Sequence, residues 1–269
     1  MSEAEAWFPT RRRGSVSVIE FNRPSRANAF PKAGWDIFPE VLRRADADDC
    51  TNAVVLTGVG RFFCTGGDVN TMSGPEPEPK VRHEGLDLVH ALLSMEKPVI
   101  AMVNGAAIGL GATIALLCDC IVMSDAAYLS DTHVPLGIVA GDGGVAMATL
   151  AVGPHRAKEL LLTGHRISGE LAASWGLINR CVPASELSAS AFELADRLAE
   201  QPRFALRATK LAVNVAMRRV AHHLLDVSMA YESISMALPD HQQALQQFRQ
   251  RSTPSRSVDP SRAGSDGGG

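Results

Sequence analysis

Apolar residues along the chain fall into short unbroken runs and helical stripes, and the two alternate. Ser15–Phe21 carries Val16 and Val18 at alternate positions and stops at Asn22-Arg23-Pro24, which predicts a strand running into a turn. Trp35, Phe38, Val41 and Leu42 recur at helical spacing and predict a helix through Arg44. Ala53–Thr57 and Pro98–Val103 are continuously apolar and end at Gly58 and at Asn104-Gly105, the pattern of strands buried on both faces. Val81–Met95 places Leu86, Val89, Leu92 and Leu93 on one helical face, and Ile108–Leu117 reads as a small-residue, tightly packed helix. Strand-then-helix alternation with buried strands implies an α/β architecture.

From Pro154 onward the pattern is mostly helical: His155–Leu162, Gly169–Trp175 with Ser168 as its cap, Ser185–Glu200, Pro202–Arg219 and Val220–Leu238. The expected organisation is an N-terminal extension over 1–13, an α/β core over 14–200, a helical region over 201–251 and a disordered tail over 252–269. The tail is rich in Ser, Pro, Arg and Gly and ends in Gly-Gly-Gly. Residues 72–93 are expected to line a pocket, with the Gly74–Pro79 stretch as a mobile entry.

Composition narrows the function. The chain has 269 residues, 46% apolar and 20% charged, enough for a sizeable core. A net charge of −3 argues against nucleic acid, which needs a basic face. No apolar run approaches the roughly 18–20 residues of a membrane span. The acidic start Met1-Ser-Glu-Ala-Glu lacks the apolar stretch of a secretory signal, and the five cysteines include no C-x-x-C pair. These features predict a soluble cytoplasmic protein with reduced thiols and no metal site.

Two glycine-rich turns follow buried strands: Arg61-Phe62-Phe63-Cys64-Thr65-Gly66-Gly67-Asp68 and Asn104-Gly105-Ala106-Ala107-Ile108-Gly109-Leu110-Gly111. Glycines at a strand-to-helix handover leave backbone N–H groups able to face a ligand closely. Neither turn is a P-loop or a dinucleotide fingerprint, and each alone also reads as plain connection.

Together with Asn22–Ala29, Leu56-Thr57-Gly58, Pro98–Gly111, Gly137–Gly144, Leu161–Gly164, Ala172–Leu177 and Pro202–Lys210, these turns resemble the crotonase (enoyl-CoA hydratase/isomerase) superfamily. The resemblance covers residues 14–250 in order. It implies a spiral core of ββα units and a C-terminal helical region for trimer assembly, as a homotrimer or a dimer of trimers. It also implies an acyl-CoA substrate, with coenzyme A entering as part of the thioester and no redox or metal cofactor. By position, the N–H groups of Gly67 and Leu110 would form an oxyanion hole. Arg26, Ala27, Asn28, Thr65 and Lys210 would meet the coenzyme. Apart from the resemblance, Arg26 and Lys210 read as solvated surface charge.

The sequence departs from the hydratases where their two glutamates stand: here the matching residues are Thr113 and His133. Nine residues after His133 comes Asp142, and a His–Asp pair is suited to proton transfer near neutral pH. Without the resemblance, His133 also reads as a backbone-bonded loop histidine and Asp142 as a helix N-cap. The His133–Asp142 spacing is similar to the β-diketone hydrolase branch, of which 6-oxocamphor hydrolase is an example, and Glu232 falls where that branch has an active-site glutamate. Trp35 and Leu110 stand where it has histidines. The expectation is therefore an enoyl-CoA hydratase/isomerase-like lyase using a His133–Asp142 acid–base pair. The alternatives are a retro-Claisen C–C hydrolase of a β-diketone and a non-catalytic acyl-CoA-binding protein.

Overall fold

The structure, a computed structural model, describes residues 3–71 and 78–252. Helix α1 (Glu3–Trp7) and strand β1 (Thr10–Arg13) precede β2 (Val16–Phe21) and α2 (Gly34–Ala47). Three units of like order follow, each a strand, a shorter strand and a helix. They are β3 (Ala53–Gly58), β4 (Phe62–Cys64) and α3 (Glu78–Ser94); β5 (Val99–Val103), β6 (Ala106–Ile108) and α4 (Leu110–Leu117); then β7 (Cys120–Ser124), β8 (Tyr128–Ser130) and α5 (Gly144–Thr163). The chain continues through β9 (Ile167–Ser168), α6 (Gly169–Trp175), β10 (Arg180–Val182) and α7 (Leu187–Ala199), and then α8 (Arg203–Met236) and α9 (Pro239–Ser252).

The first strand of each unit enters one sheet and the second strand enters another. The larger sheet has the order β1-β2-β3-β5-β7-β10 and the smaller one β4-β6-β8-β9. Among the described residues, only the β1–β2 and β8–β9 pairs are antiparallel. A parallel sheet must be covered on both faces, and the strand residues divide accordingly. Val16, Val18, Ala53, Val55, Ile100 and Met102 pack with Leu187, Ala191, Phe192 and Ala195 of α7. The alternate positions Ile19, Phe21, Val54, Leu56, Ala101 and Val103 face the main core with Phe38, Leu42, Leu88 and Leu92. That two-sided burial is why β3 and β5 read as unbroken apolar runs.

Several boundaries differ from the sequence reading. β1 pairs antiparallel with β2, Thr10 opposite Ile19, so the sheet begins inside the expected N-terminal extension. The helix expected from Ile108 starts at Leu110, because residues 106–108 form β6 and Gly109 turns the chain with φ 51° and ψ −122°. The two helices expected over 202–238 are one helix, α8, with neither Pro nor Gly inside it to break it. The helix expected at His155 is the second half of α5, which kinks at Gly153 before Pro154. Ser168 caps α6 as expected, accepting the Leu171 N–H at 3.2 Å. The Gly74–Pro77 part of the expected pocket entry, and the tail from residue 253, lie outside the described residues. Among the described residues, no helix is long and apolar enough to cross a membrane.

α8 is tied to the sheet by a partly buried ion pair. The Lys210 ammonium, 7% exposed, lies 2.7 Å from Asp119 Oδ2 and donates to the Lys97 carbonyl at 2.6 Å. Asp119 also accepts the Val99 N–H at 2.6 Å, and burial holds its carboxyl above the usual range despite Lys210. Lys210→Ala therefore leaves a partly buried carboxylate without its cation. A loss of about 2 kcal/mol in denaturant unfolding is expected. That is less than the roughly 3–5 kcal/mol of a fully orphaned charge, because Asp119 keeps its N–H partner and can take up a proton.

Candidate active site

The repeated unit brings the chemistry together. Strands β4, β6 and β8 lie side by side and parallel, so their C-terminal exits are neighbours. Those exits are Thr65–Gly67, Gly109–Leu110 and Asp131–His133. The sheet ladder carries on past the strands, with the Gly109 N–H donating to the Ser130 carbonyl at 2.9 Å.

The two glycine turns meet backbone to backbone. Gly66 has φ 86°, a region open to glycine, and a Cβ built there would lie 2.9 Å from the Ile108 carbonyl oxygen and 3.7 Å from the Leu110 nitrogen. Phe30 bridges the next residue in parallel fashion, donating to Gly66 O at 2.7 Å and accepting from Asp68 N at 3.2 Å. In that pattern the Gly67 N–H points away from Phe30. Leu110 opens α4, where the first N–H groups have no acceptor within the helix. Among the described residues, no backbone carbonyl accepts from either Gly67 N–H or Leu110 N–H.

His133 sits next to this junction. Its ring carbon Cε1 is 3.8 Å from where a Gly109 side chain would begin. The side chain is 12% exposed and lies between two carboxylates: Nδ1 is 2.8 Å from Asp131 Oδ1, and Nε2 is 3.5 Å from Asp142 Oδ2. Thr113, on α4, donates its hydroxyl to Asp142 Oδ1 at 2.9 Å. Burial alone would lower the imidazole pKa, but Asp142 and Asp131 outweigh it and hold His133 well above its usual value. Asp142, immediately ahead of α5, is held below the usual carboxylate range: burial opposes this, and His133, Thr113 and the Gly144 N–H prevail. At neutral pH the pair is an imidazolium facing a carboxylate.

Glu232 reaches the site from α8. Its carboxyl is packed against Gly141 so tightly that no Cβ would fit there, and its Oε2 is buried with no hydrogen-bond partner. Burial, and then the charge of Asp142, push it up to about 8, so it is a neutral acid at pH 7. The sequence reading had joined His133, Asp142 and Glu232, and the structure brings all three together. It missed Asp131, which is nearer to the imidazole than Asp142 is.

Residues 11–255 match the enoyl-CoA hydratase/isomerase family. The chain belongs to that family. It is 33% identical over 245 residues to 1,2-epoxyphenylacetyl-CoA isomerase of Escherichia coli (strain K12), covering 89% of this chain and 94% of the relative. It is 38% identical over 200 residues to carnitinyl-CoA dehydratase of Proteus mirabilis (strain HI4320), covering 74% of this chain and 76% of the relative. An enoyl-CoA hydratase/isomerase structure from Mycobacterium paratuberculosis superposes with a TM-score of 0.85 at 31% identity, covering 90% of this chain and 98% of that one. The α/β spiral with its helical C-terminal region is thus the crotonase fold, and the chain is an enzyme of that superfamily.

In this crotonase the Asn22–Ala29 turn is stapled to the first glycine turn. Asn28, 2% exposed and at φ 54°, donates through its amide to Val59 O at 3.0 Å and Phe62 O at 2.7 Å, and accepts from Arg23 N at 2.9 Å. Thr65 Oγ1 donates to Ala27 O at 3.0 Å. The Arg23 guanidinium bridges Ala29 O at 2.6 Å and Asp68 Oδ2 at 3.1 Å. Arg26 faces solvent. One expectation is corrected here: the Lys210 ammonium is paired with Asp119 and the Lys97 carbonyl rather than turned toward a ligand's phosphates.

Proposed function

We propose that this enzyme processes an acyl-CoA thioester, stabilising an enolate or oxyanion on the N–H groups of Gly67 and Leu110. Protons move through the His133–Asp142 pair, which replaces the two glutamates of the hydratases. The observation that carries this reading is the junction of Gly66 with Leu110 N, with the His133 ring 3.8 Å from the Gly109 Cβ position. Oriented N–H groups favour developing negative charge on oxygen over the neutral carbonyl, with about 3–4 kcal/mol lost when one donor is removed. Thr113 supports the replacement: its hydroxyl donates to Asp142 and so keeps that carboxylate in place rather than acting as a base.

The resting charges set the direction of proton flow. With imidazolium and carboxylate present before substrate arrives, the first proton leaves Nε2 of His133 for a carbon or oxygen of the acyl group. That proton is restored to Nε2 from substrate or water, and Asp142 stabilises the ring again once it is charged. The coenzyme end is assigned to the Arg26 guanidinium and to backbone groups around Ala27, Asn28 and Thr65, beside the first glycine turn.

A second reading is hydrolytic C–C cleavage of a β-diketone, favoured by the Nε2–Asp142 approach of 3.5 Å and by Glu232 at the same site. Incubation with crotonyl-CoA and, separately, with a free 1,3-diketone distinguishes the two by mass spectrometry of the products. Conversion of the thioester with the diketone intact is expected. Cleavage of the diketone with the thioester untouched makes the second reading correct, and tight thioester binding without turnover of either leaves a binding protein.

A further inference from the structure

We propose that Asp131 is the positioning residue of this site: it grips the Nδ1 side of His133 and so fixes Nε2 as the ring atom turned toward Asp142 and the acyl group. The proposal deepens the reading above, in which His133 moves protons.

The two carboxylates around the ring are built differently. One oxygen of Asp131 meets both the His133 ring at Nδ1, at 2.8 Å, and the His133 backbone N–H, at 3.1 Å. Ring and backbone are therefore clamped to a single atom. Asp131 follows directly on β8, is 3% exposed, and is preceded by Ser130, whose hydroxyl donates to Gly164 O at 2.7 Å. Its own chain is thus pinned on both sides. Asp142 has its Oδ1 taken by Thr113, while Oδ2 stands 3.5 Å from Nε2, outside good hydrogen-bond distance. A short bond orients, and a long one leaves room for a reacting atom to compete.

The tautomer follows from this arrangement. When His133 is neutral, a proton on Nδ1 satisfies Asp131, whereas a proton on Nε2 would set the Nδ1 lone pair against a carboxylate. Neutral His133 therefore keeps its proton on Nδ1 and gains or loses the other at Nε2, beside Gly109. The titratable groups that face the ring are Asp131 on its own loop, Asp142 ahead of α5 and Glu232 on α8. Of these, only Asp131 touches Nδ1.

Nitrogen-15 NMR of the His133 ring in the ligand-free protein tests this without any assumption about substrate. In the unaltered protein, Nδ1 is expected to stay protonated as Nε2 titrates. A neutral form with its proton on Nε2 overturns the proposal. Asp131→Asn keeps the shape and an acceptor oxygen but removes the charge, so the Nε2 midpoint should move to lower pH, while the charged Asp131→Glu should move it less. In steady-state kinetics with a turned-over thioester, the alkaline limb of kcat should follow that shift, with kcat down about 100-fold and KM within about twofold. An unmoved midpoint in Asp131→Asn sinks the role of Asp131 and leaves the acyl-CoA assignment standing. A moved midpoint in a protein that converts no thioester leaves the role of Asp131 standing and sinks the assignment.

Discussion

Replacing His133 with alanine should lower kcat/KM for the thioester by about 10³-fold, within the range a positioned acid–base group contributes. Affinity for coenzyme A itself should change little, because the Asn22–Ala29 turn is held by Asn28, Thr65 and Arg23 without any contact from the imidazole. The substitution also has a stability side. Asp131 and Asp142, each 3% exposed or less, lose the cation between them and face one another as buried like charges. The variant should therefore unfold at lower denaturant concentration than the unaltered protein at neutral pH. Pairing His133→Ala with Asp142→Asn removes that repulsion and separates lost chemistry from lost fold. Turnover that survives in the double variant would exclude this ring as the proton carrier.

The sequence made the scaffold legible where burial leaves a long signature and concealed it where elements are short. β3 and β5, each covered by α7 on one face and the main core on the other, were readable as continuous apolar runs. β4, β6 and β8 have three residues each, fewer than any periodicity needs, so the first two read as parts of glycine-rich turns and the third gave no signal. Those short strands set the site, because their parallel pairing aligns Gly66, Gly109 and Asp131. The convergence was legible only through the resemblance of the whole chain to a family, and not from either turn alone.

The side chains divide in the same way. His133 and Asp142 are separated by a single loop and could be paired by eye, and Glu232 came with the resemblance. Asp131 was passed over although it stands two residues before His133 at a strand exit, where alternate side chains share a face. Lys210 misled for the opposite reason. A lysine on an amphipathic helix ordinarily keeps its head in water, and nothing nearby in the sequence signals that Asp119 will pair with it.

Glu232 yields the strongest test of the site's electrostatics that needs no substrate. Its carboxyl titrates near 8 in the folded chain against 4.5 for an ordinary glutamate, first through burial and then through the charge of Asp142. Below pH 4.5 both folded and unfolded chains hold the proton, and the group is without effect on stability. As pH rises the unfolded chain releases it while the folded chain retains it, so the carboxyl destabilises the fold progressively until about pH 8 and no further beyond. Glu232→Gln imitates the neutral acid at every pH. Its gain over the unaltered protein in denaturant unfolding should be near nil at pH 4.5 and on the order of 4 kcal/mol by pH 8. Introducing Asp142→Asn beside it should shrink that gain, since the second cause of the raised pKa is then gone. A gain that stays flat across this interval would mean that Glu232 is ionised in the folded protein, and the neutral acid assigned to this corner of the site would have to be replaced by a third carboxylate.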